Sequence, residues 1–438
     1  MISGSPRRLR AVTRPLPTVP SLDEMLALAD PQDPLVWTRG DRGCVGIGTV
    51  VRLTFSGPDR FAEASAAWRE LAAAATVEDQ VRLPGSGLVA LGTFAFADDS
   101  AAQSVLIVPR TLIARHRGRA WVTEVTELPG EGDGGTRDEG RAEAASAAST
   151  AGSTAPGPWP GVALPVADAD AAYLAGVADA AGRIARGEAD KIVLARQVTG
   201  RIAADDDLRV PVARLAARYT DCWTFAVDGL CGASPETLVR QTDGAISARV
   251  LAGTRARHAD PMADARARDE LLTSAKDQHE HAFAVQSVVT ALAPHVADLR
   301  TSEEPFALGL PNVWHLATDL GASPSDGGSA LELTAALHPT AAVAGTPTVA
   351  AVRAIADLEP FDRGRYAGAV GWIDGDGDGE WVIALRCAQV SPAEAGDRLV
   401  TATAGGGIVD GSDPAREFAE TVSKFTPVAE AFGPGDRA

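Results

Sequence analysis

Residues 399–425 join three signals that tightly constrain how this chain can fold: an apolar run at 399–404, the glycines Gly405, Gly406 and Gly407, and the pair Asp413-Pro414. Aspartate is a favoured helix cap, and proline suits a first turn whose N–H groups have no intrahelical partner. A strand should therefore pass through a glycine-rich turn into a helix that starts near residue 414. At 3.6 residues per turn, Glu417, Glu420 and Lys424 share one face of that helix, while Phe418, Val422 and Phe425 point elsewhere. Exposed amides in the turn, aided by the helix N-terminus, would form an anion cradle beside two carboxylates.

The partner classes narrow with charge. The chain has 438 residues and a formal net charge of -18, which disfavours nucleic acid and anionic membrane, both of which select basic surfaces. An anionic substrate would have to be met by clustered cations or a metal. The four cysteines, Cys44, Cys222, Cys231 and Cys387, form no Cys-x-x-Cys pair, which points away from disulfide scaffolds and zinc ribbons and towards a reducing cytoplasm. Arg7, Arg8 and Arg10 are not followed by a signal-peptide core, and no apolar run reaches membrane-spanning length.

Along the chain, residues 1–20 read as a loose lead-in and 35–125 as short strands with one helix near 59–75. The Gly-, Ala-, Ser-, Thr- and Pro-rich stretch 129–165 reads as a mobile excursion that divides an N-terminal half, 1–165, from a second region, 166–433. The second region opens with a helix at 168–187 and a strand from Lys191 in which Lys191, Val193, Ala195 and Gln197 share a face. Asp243-Gly244 marks a tight hairpin, because both turn positions tolerate positive φ. Residues 262–293 read as helical, and 367–373, 381–390 and 399–404 as an antiparallel meander. Strands and helices do not alternate as in a parallel doubly wound sheet, so the expected class is α+β with large, mainly antiparallel sheets flanked by helices.

Asp277 and Glu280 form a second carboxylate pair on a helix. Two helices that each present acidic pairs suit a hard divalent cation, Mg²⁺ above all; separately, each pair reads as solvated surface charge. His279 and His281 face different ways on a helix and make a poor zinc pair. The acidic run 374–380 lacks the glutamate an EF-hand needs at its twelfth position, where Leu385 stands, and reads as a hairpin turn. Asp410 occupies the place of the third glycine of a dinucleotide loop. Lys191 is an edge-strand lysine or, in a closed cavity, a base. Glu236, after Pro235, is a surface turn or a protonated acid over a cavity. Arg386, among apolar neighbours within the presumptive strand 381–390, calls for a carboxylate.

These segments, in order, resemble the chorismate-utilising enzymes, which include isochorismate, salicylate, anthranilate and aminodeoxychorismate synthases. The matching stretches include Lys191 to Arg196, Gly232 to Glu236, Leu251 to Arg255, Lys276 to His281, Trp314 to Thr318, Leu337 to Thr340, Glu359 to Arg363, Tyr366 to Trp372, Ile383 to Arg386, Ala404 to Val409 and Glu417 to Thr421 with Lys424. The resemblance implies one structural domain with the fold of anthranilate synthase component I, an α/β sandwich around Mg²⁺. It assigns the metal to Glu280 and Glu420, with Asp277 and Glu417 in support. The ring carboxylate of chorismate falls near Gly253, Thr254 and His315, and the enolpyruvyl carboxylate near Arg386, Tyr366, Gly405, Gly406 and Lys424. Water-adding members carry lysine at position 191, so the implied reaction is attack of water at ring C2 while Glu236 protonates the departing C4 hydroxyl.

The implied activity is isochorismate synthase, supplying menaquinone or a siderophore, as a cytoplasmic monomer without a glutaminase subunit. Ala342 resembles the small residue of isochorismate synthases, where salicylate synthases tend to carry threonine; Tyr366 points towards salicylate synthase, which goes on to eliminate pyruvate. A silent chorismate- or metal-binding protein is the rival of another class; Lys191 and Glu236 weigh against it.

Overall fold

A computed structural model describes residues 7–128, 156–157, 159–309, 313–325 and 328–434; the excursion expected within 129–165 falls mostly outside these residues. Among the described residues strand pairing is antiparallel apart from one parallel pair, Arg8–Pro15 with Thr76–Asp79. The strand Ser104–His116 is the branch point, because it pairs with Arg42–Phe55 on one side and with Val89–Thr93 on the other. One arm continues through Leu35–Arg39, Trp223–Val227, Leu230–Ser234, Cys387–Val390 and Asp397–Ile408 to Lys191–Ala203. The other runs through Ala369–Asp374, Gly379–Ile383, Thr237–Thr242 and Ala245–Ala256 to Val313–Pro324. Each arm takes strands from both halves of the chain, and buried Trp381, Phe94, Leu91 and Leu106 belong to the core they share.

Two short crossings carry the chain directly from a strand of one arm to a strand of the other, at Pro235-Glu236 and at Ala384–Arg386. Ile383 N–H donates to the Glu236 carbonyl (3.1 Å) and Ala233 N–H to the Arg386 carbonyl (3.2 Å), so the crossings brace each other. Residues 381–390 are thus two strands rather than the single one expected, and Arg386 sits at the break with φ +50°. A non-glycine residue in that region is strained by about 1–2 kcal/mol, which the two crossing bonds help to hold.

Three further expectations need correction. Arg8–Pro15 is a strand, not a lead-in, because alternate residues Leu9, Ala11 and Thr13 are buried against the sheet. The helical stretch is two helices, Pro261–Thr273 and Ala275–Leu292, divided at Ser274, whose hydroxyl caps the second by accepting from Asp277 N–H (3.3 Å). Gly405, Gly406 and Gly407 lie inside the strand Asp397–Ile408, opposite Ala195, Leu194 and Val193, not in a turn. A Cβ at Gly407 would stand 2.6 Å from Lys191 Cε, so glycine there gives the lysine its path across the strand.

The helix Pro414–Phe432 starts as expected, with the Asp413 carboxylate accepting from Arg416 N–H (2.9 Å). Asp243 and Gly244 adopt φ +51° and +73° in their hairpin, and Asp374 accepts from Asp376 and Asp378 N–H to close the acidic turn. No described helix is long and apolar enough to cross a membrane.

Along the edge of the strand Lys191–Ala203 that faces away from Asp397–Ile408 lies a buried ion pair between Glu359 and Arg363 (2.6 Å). Glu359 accepts from Ala195 N–H (2.7 Å), and Arg363 donates to the Val193 carbonyl (2.7 Å). Glu359→Ala leaves that guanidinium uncompensated. It is expected to lower unfolding free energy by about 3–5 kcal/mol, read as a shift in the urea midpoint.

Candidate active site

All the candidate residues line one cavity, bounded by the Lys191–Ala203 and Asp397–Ile408 strands, the two crossings, and the helices Ala275–Leu292 and Pro414–Phe432. Pairing of Asp397–Ile408 with Cys387–Val390 reaches only to Thr403, so the edge beyond it opens onto the cavity at Gly405 to Gly407.

Lys191 reaches the cavity from the start of its strand and Glu236 from the crossing between the arms. The Lys191 side chain is 14% exposed, and its Nζ donates to Glu280 Oε1 (2.8 Å). It is ion-paired within the cavity wall rather than an edge-strand lysine reaching solvent. Glu236 is buried, and desolvation pushes its carboxyl up to about 7, against the opposing charges of Arg386, Lys191 and Lys424. The environment therefore favours a proton on Glu236 near neutrality, as a general acid requires.

The Arg386 guanidinium forms no hydrogen bond or ion pair with another described residue, although it is partly buried in the cavity wall. A guanidinium in that setting suits bidentate capture of a carboxylate. Tyr366 is beside it, its hydroxyl pushed up to about 12 by burial and so protonated, a donor. Lys424 Nζ bonds the Gly405 carbonyl (2.8 Å) and pairs with Glu420. On the far wall Gly253 has φ +79°, and Thr254 Oγ1 bonds His315 Nδ1 (3.0 Å). Burial and the Arg386 and Lys424 charges push His315 down to about 3, so it is neutral; its buried Nε2 has no partner among the described residues. Ala342 forms a small apolar part of the wall.

The carboxylates Glu280, Glu417 and Glu420 offer only oxygen donors, the set a hard divalent cation takes. Glu280 and Glu420 each engage a lysine through Oε1, and Glu417 Oε1 accepts from Ser412 Oγ (2.9 Å), so each retains a second oxygen. A Cβ at Gly406 would stand 3.2 Å from Glu417 Oε2 and 3.8 Å from Glu420 Oε1, and its lack leaves room where the two acids converge. Among the described residues no three His, Cys, Asp or Glu side chains are already gathered as a metal cluster. Asp277 is engaged elsewhere, accepting from Arg255 (2.9 Å). His281 is likewise committed, to Thr318 (2.7 Å) and the Ala252 carbonyl.

Sequence reasoning gave no role to Arg255, Ser412 or Tyr173. Arg255 follows Thr254 on the same strand, a usable signal; the other two are brought in by folding alone.

An antiparallel two-armed sheet holding a mixed-charge cavity, with a lysine on one strand and a buried carboxyl pushed up to about 7 at a crossing between the arms, defines an acid–base enzyme for a small polyanion. A family model described as "Chorismate binding enzyme" matches residues 5–433, and the chain belongs to that family. It is 42% identical over 277 residues to isochorismate synthase DhbC of Bacillus subtilis, covering 60% of this chain and 67% of that protein. Among solved structures it is similar to a putative 2,3-dihydroxybenzoate-specific isochorismate synthase, DhbC, from Bacillus anthracis (TM-score 0.71, 30% identity, 94% of this chain and 99% of that one). It is also similar to MenF, the menaquinone-specific isochorismate synthase from Escherichia coli (TM-score 0.76, 26% identity, 97% and 94%).

Proposed function

We propose that this chain is a Mg²⁺-dependent isochorismate synthase that converts chorismate to isochorismate. The observation that carries the reading is Lys191 and Glu236 on one cavity with an unpaired Arg386 between the sheet arms. The relatives named isochorismate synthase support it.

In this reading Arg386, Tyr366 and Lys424 hold the enolpyruvyl carboxylate, with open-edge amides of Gly405 and Gly406 nearby. Gly253, Thr254 and His315 face the ring carboxylate. Lys191, as the neutral amine left once its ammonium proton has been given up, accepts a proton from water as the water oxygen bonds to ring C2; the ring double bonds shift, and the C4–O bond breaks as Glu236 gives its proton to the departing hydroxyl. One water enters and one leaves, so no redox cofactor is involved. Magnesium held by Glu280 and Glu420, with Glu417 in support, would offset the negative charge of the ring carboxylate. Relatives of the menaquinone-specific and 2,3-dihydroxybenzoate-specific kinds share this product, and the reading needs neither a glutaminase subunit nor a second copy of the chain.

Purified protein incubated with chorismate and Mg²⁺ should yield isochorismate by chromatography. Salicylate with pyruvate would replace the synthase reading by a lyase, and unchanged chorismate would overturn it. Arg386→Ala removes the free guanidinium and should raise the KM for chorismate about 10- to 100-fold, the worth of a charge-assisted hydrogen bond, with a smaller change in kcat.

A further inference from the structure

Tyr173 lies in the first turn of the helix Ala171–Ala185, where its N–H donates to Asp170 Oδ1 (2.9 Å). The residue is 5% exposed, and its buried hydroxyl has no hydrogen-bond partner among the described residues. A buried phenol usually finds one, because an unmet hydroxyl keeps its full desolvation cost. This hydroxyl faces the acids of the site across a common gap over Gly406: it stands 3.8 Å from the point a Cβ would occupy there, the same point that lies 3.2 Å from Glu417 Oε2 and 3.8 Å from Glu420 Oε1. Three oxygens thus surround one gap that only glycine leaves open. The other Glu417 oxygen is already fixed by Ser412, so Oε2 sets how that carboxylate is turned.

We propose that Tyr173 is a positioning residue whose hydroxyl, through one water in the Gly406 gap, donates to Glu417 Oε2 and holds the carboxylate facing the cation. This rests on the magnesium reading above. Removing a group that orients a metal's carboxylates typically weakens metal affinity 10- to 100-fold.

The test is calorimetric titration of Mg²⁺ into substrate-free protein. Tyr173→Phe, which keeps the ring and its packing, should bind Mg²⁺ about 10-fold more weakly with an unchanged Tm. Gly406→Ala, which fills the gap, should weaken binding to a similar degree, and the double variant should be no weaker than either single one, because one bridge is lost in each case. Unaltered affinity in Tyr173→Phe, or losses that multiply in the double variant, would overturn the proposal. Wild-type protein that takes up no Mg²⁺ would overturn the magnesium reading and this inference with it.

Discussion

Lys191→Met is expected to lower kcat about 10²- to 10⁴-fold, the contribution of a positioned general base, with Mg²⁺ present and chorismate still bound. Methionine keeps an apolar stem of similar length across Gly407, so the cavity wall is preserved. Lys191 also pairs with Glu280, and loss of that pair could by itself disturb the site. Lys191→Arg separates the two roles. Arginine can keep the ion pair but does not give up its proton. If residue 191 takes a proton from water, both variants are inactive in a stopped assay of isochorismate; full activity in Lys191→Arg would reduce the lysine to a charge partner.

Glu236→Gln should lower kcat by a comparable factor and also change the shape of the pH profile. The folded carboxyl titrates near 7 instead of its ordinary 4.5, chiefly because burial disfavours the charged form. Wild-type activity should therefore fall as pH rises through about 7, as the acid is lost. The glutamine variant should show its residual rate without that limb. Stability follows the same linkage: the folded state holds this proton where the unfolded chain releases it, so the group's contribution declines as pH rises from about 4.5 to about 7. Glu236→Gln should flatten that decline in denaturation midpoints measured across the window. A wild-type rate indifferent to pH between 6 and 8 would count against Glu236 as the acid.

Much of this site was legible in the chain because its parts are local. Glu417, Glu420 and Lys424 share a face by helical spacing alone, and the Asp413-Pro414 start fixes where that spacing begins. Asp243-Gly244 and the acidic turn at 374–378 carry their own backbone chemistry, and the absence of regular strand–helix alternation pointed to antiparallel sheets. Three glycines in a row, by contrast, read as a turn, since nothing local shows that a second strand lies close enough to forbid a Cβ.

The order of the motifs specified which residues would meet, but the tertiary structure decided how they are charged and paired. Burial at a crossing between the sheet arms pushes Glu236 towards its protonated form; the Arg386 guanidinium, at the other crossing, has no partner among the described residues; Lys191 carries a partner 89 positions away. Helix caps and turn residues act over a few bonds, so a sequence can announce them. Desolvation and ion pairing depend on distances between segments remote in the chain, and those exist only once it has folded.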